Sequence, residues 1–279
     1  MARFFVDALP DEGATYTLTG ENADHARVLR LRPGETVTLC DGKGTDCPCT
    51  VQPGGGLLAG AWVSCPAEPA VRVSLYLAFP KGDKAEHVIQ KAVELGAAEL
   101  VLFPSRYCVS RPEGKALKSK LERWQKIARA AAEQSRRGII PPVRALESYA
   151  EALTQAAGAE LPILFYENEE KLGLREALEG FAALPVCHSE RSEESVLSAG
   201  KADAGETGPS APLALRSGRQ HRPSSVSLMT GAEGGFSEEE IARAGAAGMK
   251  ICTLGPRILR CETAPLAGLT AVMYALGEM

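Results

Sequence analysis

The last third of the chain contains a strand followed by a glycine-rich turn twice, and this pattern constrains the fold more than any other feature. Apolar runs at 226–229 and 251–254 enter glycine-rich turns at 231–235 and 255–256. A helix that begins at Ser237 with a Ser-x-x-Glu capping box separates the two runs. The sequence therefore predicts a βαβ unit. Both turns follow strands, and open α/β sheets bind ligands at the carboxyl ends of their strands.

The glycines in these turns favour a binding site that is built from main-chain atoms. Glycine has no Cβ, so it permits positive φ and lets the backbone approach a ligand closely. Neither turn has the G-x-G-x-x-G or the P-loop sequence, so a conventional dinucleotide or ATP site is not indicated. One such turn alone is more often an ordinary connector. Two in succession, the second followed by Arg257 and Arg260, favour a ligand site.

Length and charge limit the class of protein. A chain of 279 residues is long enough for one large or two smaller domains. Its net charge of -4 argues against a uniformly basic nucleic-acid binder but permits a local basic face. The N-terminus becomes acidic too soon for a signal peptide, and no apolar run reaches membrane-spanning length. We therefore expect a cytoplasmic protein without membrane contact.

The eight cysteines are expected to be reduced thiols in such a compartment. Cys47 and Cys49 form a Cys-x-Cys pair, but the chain offers no matching second pair, so the evidence for zinc is weak. No metal site is predicted.

Residues 1–68 are predicted to form a small β-rich unit. Short apolar stretches separated by turns at near-regular spacing, including a hairpin signal at Asp41-Gly42, are typical of a small barrel. Arg3, Arg27 and Arg30 could contact phosphates, because guanidinium groups match phosphate oxygens bidentately. For these arginines alone, a solvated basic surface is the favoured alternative.

Residues 72–279 alternate strand and helix patterns, which predicts an α/β domain. The segment 186–225 breaks the pattern, since it is rich in Ser, Gly, Pro, Arg and Glu and has almost no apolar periodicity. Such a composition predicts a disordered surface insertion. The final helix, behind Glu262-Thr263, carries an apolar face that packs on the sheet or, in a dimer, forms part of the interface.

The segment 106–144 carries the strongest charge signal. It holds eleven Arg or Lys residues against three Glu. Its apolar residues recur at three- and four-residue spacing, so the positive charge collects on the opposite face of a helix. A polyanion is the natural partner, because neutralised phosphates release counterions. A solvated helix with i,i+4 ion pairs is the alternative, and the large positive excess favours nucleic acid.

Six segments of the chain carry a family resemblance. They are Gly231-Ala232-Glu233-Gly234-Gly235-Phe236-Ser237, Leu254-Gly255-Pro256-Arg257-Ile258-Leu259-Arg260-Cys261-Glu262-Thr263-Ala264, Lys91-Ala92-Val93-Glu94-Leu95-Gly96, Glu133-Gln134-Ser135, Arg3-Phe4-Phe5-Val6 and His25-x-x-Val28-Leu29-Arg30-Leu31. Together they resemble the RsmE family, the 16S ribosomal RNA uracil-N3 methyltransferases of the SPOUT class. The resemblance covers nearly everything except the insertion.

The resemblance implies a fold and a set of partners. The fold would be α/β, with a PUA-like β-barrel N-terminal domain (1–68) and a SPOUT-type, trefoil-knotted C-terminal domain (72–279). The cofactor would be S-adenosylmethionine, and the substrate 16S rRNA of the small ribosomal subunit. The active form would be a homodimer. Knots are close to absent in proteins generally, so periodicity alone could not have indicated one.

Two residues depart from the family pattern. Ala232 stands where the family usually has Pro, and Cys261 where it usually has Thr. Both are small residues, so we expect reduced rigidity at most.

The resemblance also implies roles for individual residues. Main-chain groups in the two glycine-rich turns would hold the cofactor: Thr230, Gly231, Gly234, Gly235, Leu254, Gly255, Ile258 and Leu259. RNA phosphates would be bound by Arg3, Arg27, Arg30, Arg106, Arg111 and Arg137.

The chemistry of the reaction suggests two catalytic residues. Uracil N3 must lose its proton before it attacks a sulfonium methyl group, so the enzyme must position N3 and stabilise the developing uridinate. Arg260 is the predicted cation, and Glu262 would orient it or receive the proton. A purely structural Arg–Glu pair is the alternative for both.

Two other functions stay open at this point. One is a non-catalytic RNA-binding factor in ribosome assembly that kept the fold. The other is a methyltransferase that acts on another RNA position.

Overall fold

The computed structural model describes residues 2–182 and 222–279, which form two six-stranded sheets and their helices. The strands are β1 (Ala2–Phe5), β2 (Thr15–Tyr16), β3 (Thr36–Cys40), β4 (Thr45–Val51), β5 (Leu57–Ala59), β6 (Val63–Ser64), β7 (Arg72–Ala78), β8 (Glu99–Phe103), β9 (Val143–Ala145), β10 (Leu161–Phe165), β11 (Ser225–Thr230) and β12 (Lys250–Cys252). The helices are α1 (Gly20–Leu29), α2 (Lys84–Glu94), α3 (Gly114–Gln134), α4 (Tyr149–Ala157), α5 (Leu174–Ala182), α6 (Glu238–Ala246) and α7 (Ala264–Ala275).

The insertion predicted at 186–225 lies almost wholly outside the described residues. Only its end, from residue 222, is described, and Ser225 already begins β11. Within the described ranges, no helix is both long and apolar enough to cross a bilayer.

The smaller sheet is built from the N-terminal residues, in the order β1-β3-β4-β5-β2, with β6 paired to β4. Its strands are short because turns interrupt the chain every few residues, as the sequence predicted. The β1–β3 pair is parallel and the other pairs are antiparallel. Alternate side chains point inward, so Phe4, Val37 and Leu39 are fully buried in the core of this unit.

The larger sheet is entirely parallel, in the order β12-β10-β11-β7-β8-β9. Its central strand, β11, pairs with β7 from Ser225 to Thr230 and with β10 on its other side. Val226, Leu228 and Met229 are fully buried, as expected for a parallel strand that is covered on both faces. All six carboxyl ends therefore lie at one edge of the sheet.

The helices that cover this sheet follow the predicted faces. In α2, Val88, Ile89 and Ala92 are buried, and in α3 the buried stripe includes Trp124 and Ala128. These residues recur at helical spacing, so one side of each helix packs against the sheet.

The predicted capping box is present at the start of α6. The main-chain N–H of Glu240 donates to the Ser237 hydroxyl oxygen at 3.3 Å, and the main-chain N–H of Ser237 donates to the Glu240 carboxylate at 2.9 Å. Each side chain thus satisfies a main-chain donor that the helix itself leaves free.

Two buried arginines join the small sheet to the larger unit. The Arg3 guanidinium donates to both oxygens of Asp46, at 2.7 and 2.8 Å, and to the main-chain oxygen of Arg137 at 3.2 Å. The Arg137 guanidinium donates to Glu68 at 2.7 Å and to the main-chain oxygen of Val93 at 3.3 Å. Their side chains are only 8% and 4% exposed.

The structure therefore corrects the prediction that Arg3 and Arg137 bind RNA phosphates. A guanidinium group that is enclosed by protein and already donates to protein oxygens cannot reach a phosphate. The sequence showed their charge but not their burial, because Asp46 and Glu68 lie far from their partners along the chain.

We expect Arg137→Met to lower the free energy of unfolding by about 3–5 kcal/mol, because it leaves the Glu68 carboxylate without its buried partner. Arg123→Met is the matched control. Arg123 pairs with Glu86 on the surface and its side chain is 66% exposed, so its loss should cost less than about 1 kcal/mol. Urea unfolding of both variants measures the difference. Equal losses of unfolding free energy would contradict a stabilising role for the buried Arg137–Glu68 pair.

Candidate cofactor and substrate site

The candidate site lies at the carboxyl edge of the larger sheet, where several loops meet. The loop after β11 (231–237) and the loop after β12 (253–263) hold the predicted cofactor and catalytic residues. The loops after β7 (79–83) and β8 (104–113) reach the same edge, because all these strands are parallel. The structure thus brings together residues that are far apart in sequence.

The loop after β11 requires glycine at two positions. A Cβ on Gly231 would lie 2.9 Å from the backbone of Gly235. Gly235 has a φ of +65°, and a Cβ there would collide with the Glu167 carboxylate. The main-chain N–H of Gly235 donates to the oxygen of Ala232 at 3.0 Å, which closes the turn. Glycine is therefore needed for close packing within this loop, and the predicted approach of its backbone to a ligand stays a prediction.

Thr230, the last residue of β11, is the most informative residue of the predicted cofactor set. Its side chain is buried, with 2% of the residue exposed, and its hydroxyl has no hydrogen-bond partner among residues 2–182 and 222–279. A buried polar group without a partner costs about 1–3 kcal/mol, so such groups in native proteins call for an explanation. A hydroxyl at the end of the central strand, beside a turn in which two positions need glycine, suits a small polar ligand.

The loop after β12 carries the other predicted cofactor residues. Gly255 has a φ of +105°, and its main-chain N–H donates to the Thr253 hydroxyl at 3.2 Å. Leu254 and Leu259 are half-buried, whereas Ile258 is exposed. All eight predicted cofactor residues therefore lie in or next to two loops at one edge of the sheet.

Lys84 is a residue of the candidate site that the sequence did not indicate. It begins α2, and its ammonium lies 3.0 Å from Glu233 in the loop after β11 and 3.2 Å from Glu262 in the loop after β12. One cation thus joins the two loops. Its partners are 149 or more residues away along the chain, so no local pattern could have indicated the contact.

These contacts fix the charges of the two carboxylates. Burial alone would raise the pKa of Glu233, but hydrogen bonds from the Lys81 main-chain N–H and the Lys84 ammonium outweigh it and hold that pKa at about 2. A main-chain hydrogen bond within Glu262, together with Cys261 and Lys84, lowers the pKa of the Glu262 carboxyl. In return, Glu233 and Glu262 raise the pKa of Lys84. All three groups are charged at neutral pH.

Cys261 lies inside this charged cluster as a protonated thiol. Burial, followed by its hydrogen bond to Glu262, raises its pKa to about 12. A thiol with so high a pKa is a poor nucleophile at neutral pH. The departure from the family's Thr at this position therefore keeps a small hydrogen-bonding group beside Glu262.

Arg260 differs from the other charged residues of the site because its side chain is free. It is 82% exposed, and its nearest described carboxylate oxygen, on Glu262, lies 4.0 Å away. Lys84 is the closer partner of Glu262, at 3.2 Å. The structure therefore gives little support to a purely structural Arg260–Glu262 pair. A carboxylate with a lowered pKa is also a weak proton acceptor, which favours a positioning role for Glu262.

The remaining predicted RNA-binding arginines lie in two places. Arg27 and Arg30 are exposed at the C-terminal end of α1, and Arg27 pairs with Asp24 at 2.7 Å on the surface. Arg106 and Arg111 belong to the loop after β8, at the edge of the candidate site. Arg106 pairs with Glu239, and Arg111 donates to the main-chain oxygens of Ser105 and Arg106 at 2.8 and 3.0 Å.

The cysteines among residues 2–182 and 222–279 form no metal-binding arrangement. Cys47 and Cys49 are buried with their sulfur atoms 3.7 Å apart. In the described part of the chain, no group of three or more His, Cys, Asp or Glu side chains is placed to hold a metal ion. The seven cysteines in that part are free thiols.

Comparisons with known proteins show which family the chain belongs to. An RNA methyltransferase domain family matches residues 67–192 and 186–273, and an RNA methyltransferase PUA domain family matches residues 18–56. The chain is 31% identical to Ribosomal RNA small subunit methyltransferase E of Bacillus subtilis, over 98% of this chain and 96% of the relative. It is 34% identical to the protein of the same name from Mycobacterium bovis, over 96% and 90%.

A solved structure extends the likeness to three dimensions. The crystal structure of a Ribosomal RNA small subunit methyltransferase E from Neisseria gonorrhoeae, bound to S-adenosyl methionine, has a TM-score of 0.72 and 28% identity. It covers 99% of this chain and 98% of its own. The predicted α/β RNA methyltransferase domain beside a PUA domain is thereby confirmed. The chain belongs to the RsmE family of RNA methyltransferases.

Proposed function

We propose that this protein transfers the methyl group of S-adenosylmethionine to N3 of a uridine in 16S rRNA of the small ribosomal subunit. The proposal depends mainly on one observation. At the carboxyl edge of the larger sheet, the buried Thr230 hydroxyl has no partner among the described residues, and it lies next to a glycine-rich loop. Arg260 is exposed in the second loop at that edge. The relatives named above supply the substrate class. A substrate in the small subunit also implies a cytoplasmic location.

The cofactor would be held mainly by main-chain groups. The main-chain groups of Thr230, Gly231, Gly234 and Gly235 would hold it from the first loop, and those of Leu254, Gly255, Ile258 and Leu259 from the second loop at the same edge of the sheet. The Thr230 hydroxyl would gain its missing hydrogen bond from the same ligand. When bound, S-adenosylmethionine supplies an electrophilic sulfonium methyl group.

The protein's own contribution to the reaction is positioning and charge. Uracil N3 must release its proton to water and present its electron pair to the methyl carbon; the N–C bond forms as the S–C bond breaks. Arg260 would stabilise the negative charge that develops on the uracil once the substrate is bound beside its guanidinium. Glu262, held by Lys84, would limit the orientations open to Arg260.

The RNA would be held by exposed cations on both units. Arg27 and Arg30 lie on the unit formed by residues 1–68, and Arg106 and Arg111 border the site on the unit formed by 72–279. The exposed lysines Lys115, Lys118 and Lys126 add to this surface along α3. The target base of a folded RNA must leave its stack before it can reach the site.

We also propose that the protein acts as a homodimer through α7. A groove of about 820 Å³ runs along this helix, and its lining includes Leu266, Thr270 and the exposed Tyr274 together with Glu262 and Thr263 of the site. A second copy seated there would close the site from one side. Light scattering at micromolar concentration tests this, and a monomer would contradict it.

The decisive test of the function uses a deletion strain of the source organism. Mass spectrometry of its 16S rRNA should show one N3-methyluridine missing, and the purified protein with S-adenosylmethionine should restore it on small subunits from that strain. An intact N3-methyluridine would contradict the proposal. A different missing methyl group would favour a methyltransferase of another RNA position.

Thr230→Val should separate cofactor binding from folding. Valine has nearly the same shape and removes a buried hydroxyl without a partner, so we expect the unliganded variant to be as stable as the parent or more stable. Its affinity for S-adenosylmethionine should fall, by about 5- to 10-fold for one lost hydrogen bond. Thermal unfolding and calorimetry measure the two effects.

Thr154→Val is the control for that experiment, since its hydroxyl donates to the Ala150 main-chain oxygen at 3.0 Å within α4, away from the candidate site. Unchanged affinity in Thr230→Val would count against a role in cofactor binding. If the parent protein itself fails to bind S-adenosylmethionine, the non-catalytic assembly factor becomes the better explanation.

Arg260→Met should lower kcat by roughly 10²–10³-fold while leaving S-adenosylmethionine affinity unchanged, because the lost charge is needed only in the transition state. Arg257→Met is a matched control in the same exposed loop. Steady-state methylation of small subunits and calorimetry provide the measurements. If both variants lose the same activity, general attraction of RNA rather than catalysis explains Arg260.

A further inference from the structure

Tyr107 is an exposed aromatic residue at the candidate site that the proposed reaction does not yet use. It lies in the loop after β8, and 49% of the residue is exposed. Within the described ranges its ring has no hydrogen-bond, cation–π or aromatic partner. An exposed tyrosine alone is unremarkable, so its surroundings decide what it can do.

The base of the ring lies against the glycine loop after β11. A Cβ on Gly234 would lie 2.7 Å from the Tyr107 Cβ and 3.4 Å from its Cγ. In the sheet, β7 separates β8 from β11, so the two loops meet across the end of β7. Tyr107 thus touches the loop proposed to hold the methyl donor, and Gly234 leaves the room for that contact.

The loop that carries Tyr107 is held on both sides of the ring. The main-chain N–H of Arg106 donates to the buried Glu240 carboxylate at 2.8 Å. On the other side, the Arg111 guanidinium donates to the main-chain oxygen of Ser105 at 2.8 Å, and the Ser105 hydroxyl and Cys108 sulfur lie 3.2 Å apart. These hydrogen bonds hold the main chain on both sides of Tyr107, although the ring itself is open to solvent.

Cations lie near the ring along the chain, and one of them, Arg106, is paired with Glu239 of α6. Arg106 and Arg111 flank it in the same loop, and α3, which starts directly after this loop, adds Lys115 and Lys118. A flat ring with a free face, set among cations, suits a nucleobase whose phosphates lie nearby. RNA-binding proteins stack unpaired bases on aromatic side chains, and tyrosine loses little conformational entropy because it has two side-chain torsions.

We propose that Tyr107 is the stacking platform for one unpaired base of the substrate RNA, next to the glycine loop. This inference rests on the proposed function, since it deepens how that site holds its RNA. The platform would keep the base out of the RNA stack while the neighbouring loops perform methyl transfer. The cations bind the phosphates, and the ring supplies the contact that selects an unstacked base over a paired one.

The test compares Tyr107→Ala with Tyr107→Phe and with Val109→Ala, an exposed aliphatic position in the same loop. Stacking predicts that Tyr107→Ala raises the KM for small subunits and the Kd for a single-stranded 16S rRNA fragment by about 5- to 150-fold. Tyr107→Phe keeps a ring, so it should stay near the parent values, as should Val109→Ala. The Kd for S-adenosylmethionine should not change.

Salt dependence separates stacking from charge. Because the ring is neutral, Tyr107→Ala should weaken RNA binding without changing the slope of log affinity against log salt concentration, whereas Arg106→Gln should make that slope shallower. Tyr107→Ala with unchanged RNA affinity would overturn the proposal. A loss of S-adenosylmethionine affinity equal to the loss of RNA affinity would also overturn it, since Tyr107 would then serve the cofactor.

A wrong assignment of the reaction would give a different experimental result from a wrong assignment of Tyr107. If the parent protein does not methylate small subunits, the reaction is wrong, but the RNA affinities of the three variants still decide whether Tyr107 binds a base.

Discussion

The parallel arrangement of the larger sheet is the constraint on which the proposed site depends. Because all six strands run in one direction, the loops after β7, β8, β11 and β12 emerge at one edge. The central strand is buried on both faces, so its register is fixed by apolar residues such as Val226 and Leu228. Thr230 lies at the end of this buried strand, where the loop begins. Its hydroxyl is still buried, and it has no hydrogen-bond partner among the described residues.

A single cation then fixes the two loops relative to each other. Lys84 comes from the strand-to-helix connection beside β11 and contacts Glu233 and Glu262 in different loops. With the pKa of Glu233 at about 2 and that of Lys84 raised, this contact persists across the neutral range. Because Lys84 is the closer partner of the Glu262 carboxylate, the Arg260 guanidinium remains largely in solvent, where it can contact a substrate.

Local signals predicted a large part of this structure. The capping box at Ser237, the buried faces of α2 and α3 and the glycine turns depend on residues a few positions apart, so the sequence displays them directly. Contacts between distant residues were missed, such as Lys84 with Glu233, and so was the burial of Arg3 and Arg137. The sequence shows that a side chain is charged, but it does not show whether that side chain contacts water or a carboxylate from a distant part of the chain.

Ion pairs with distant carboxylates, which the sequence does not show, also change the interpretation of the basic segment 106–144. Six of its eleven cations are arginines that already contact protein groups. Arg111 donates to the main-chain oxygens of its own loop, and Arg106, Arg123, Arg129, Arg137 and Arg144 pair with Glu239, Glu86, Glu133, Glu68 and Glu99. Fewer positive charges are therefore free for RNA than the composition suggests. Phosphate attraction also carries no information about which base is unstacked. A site that must select one exposed base needs a contact with the base itself, and an uncovered aromatic ring on a fixed loop provides that contact without adding charge.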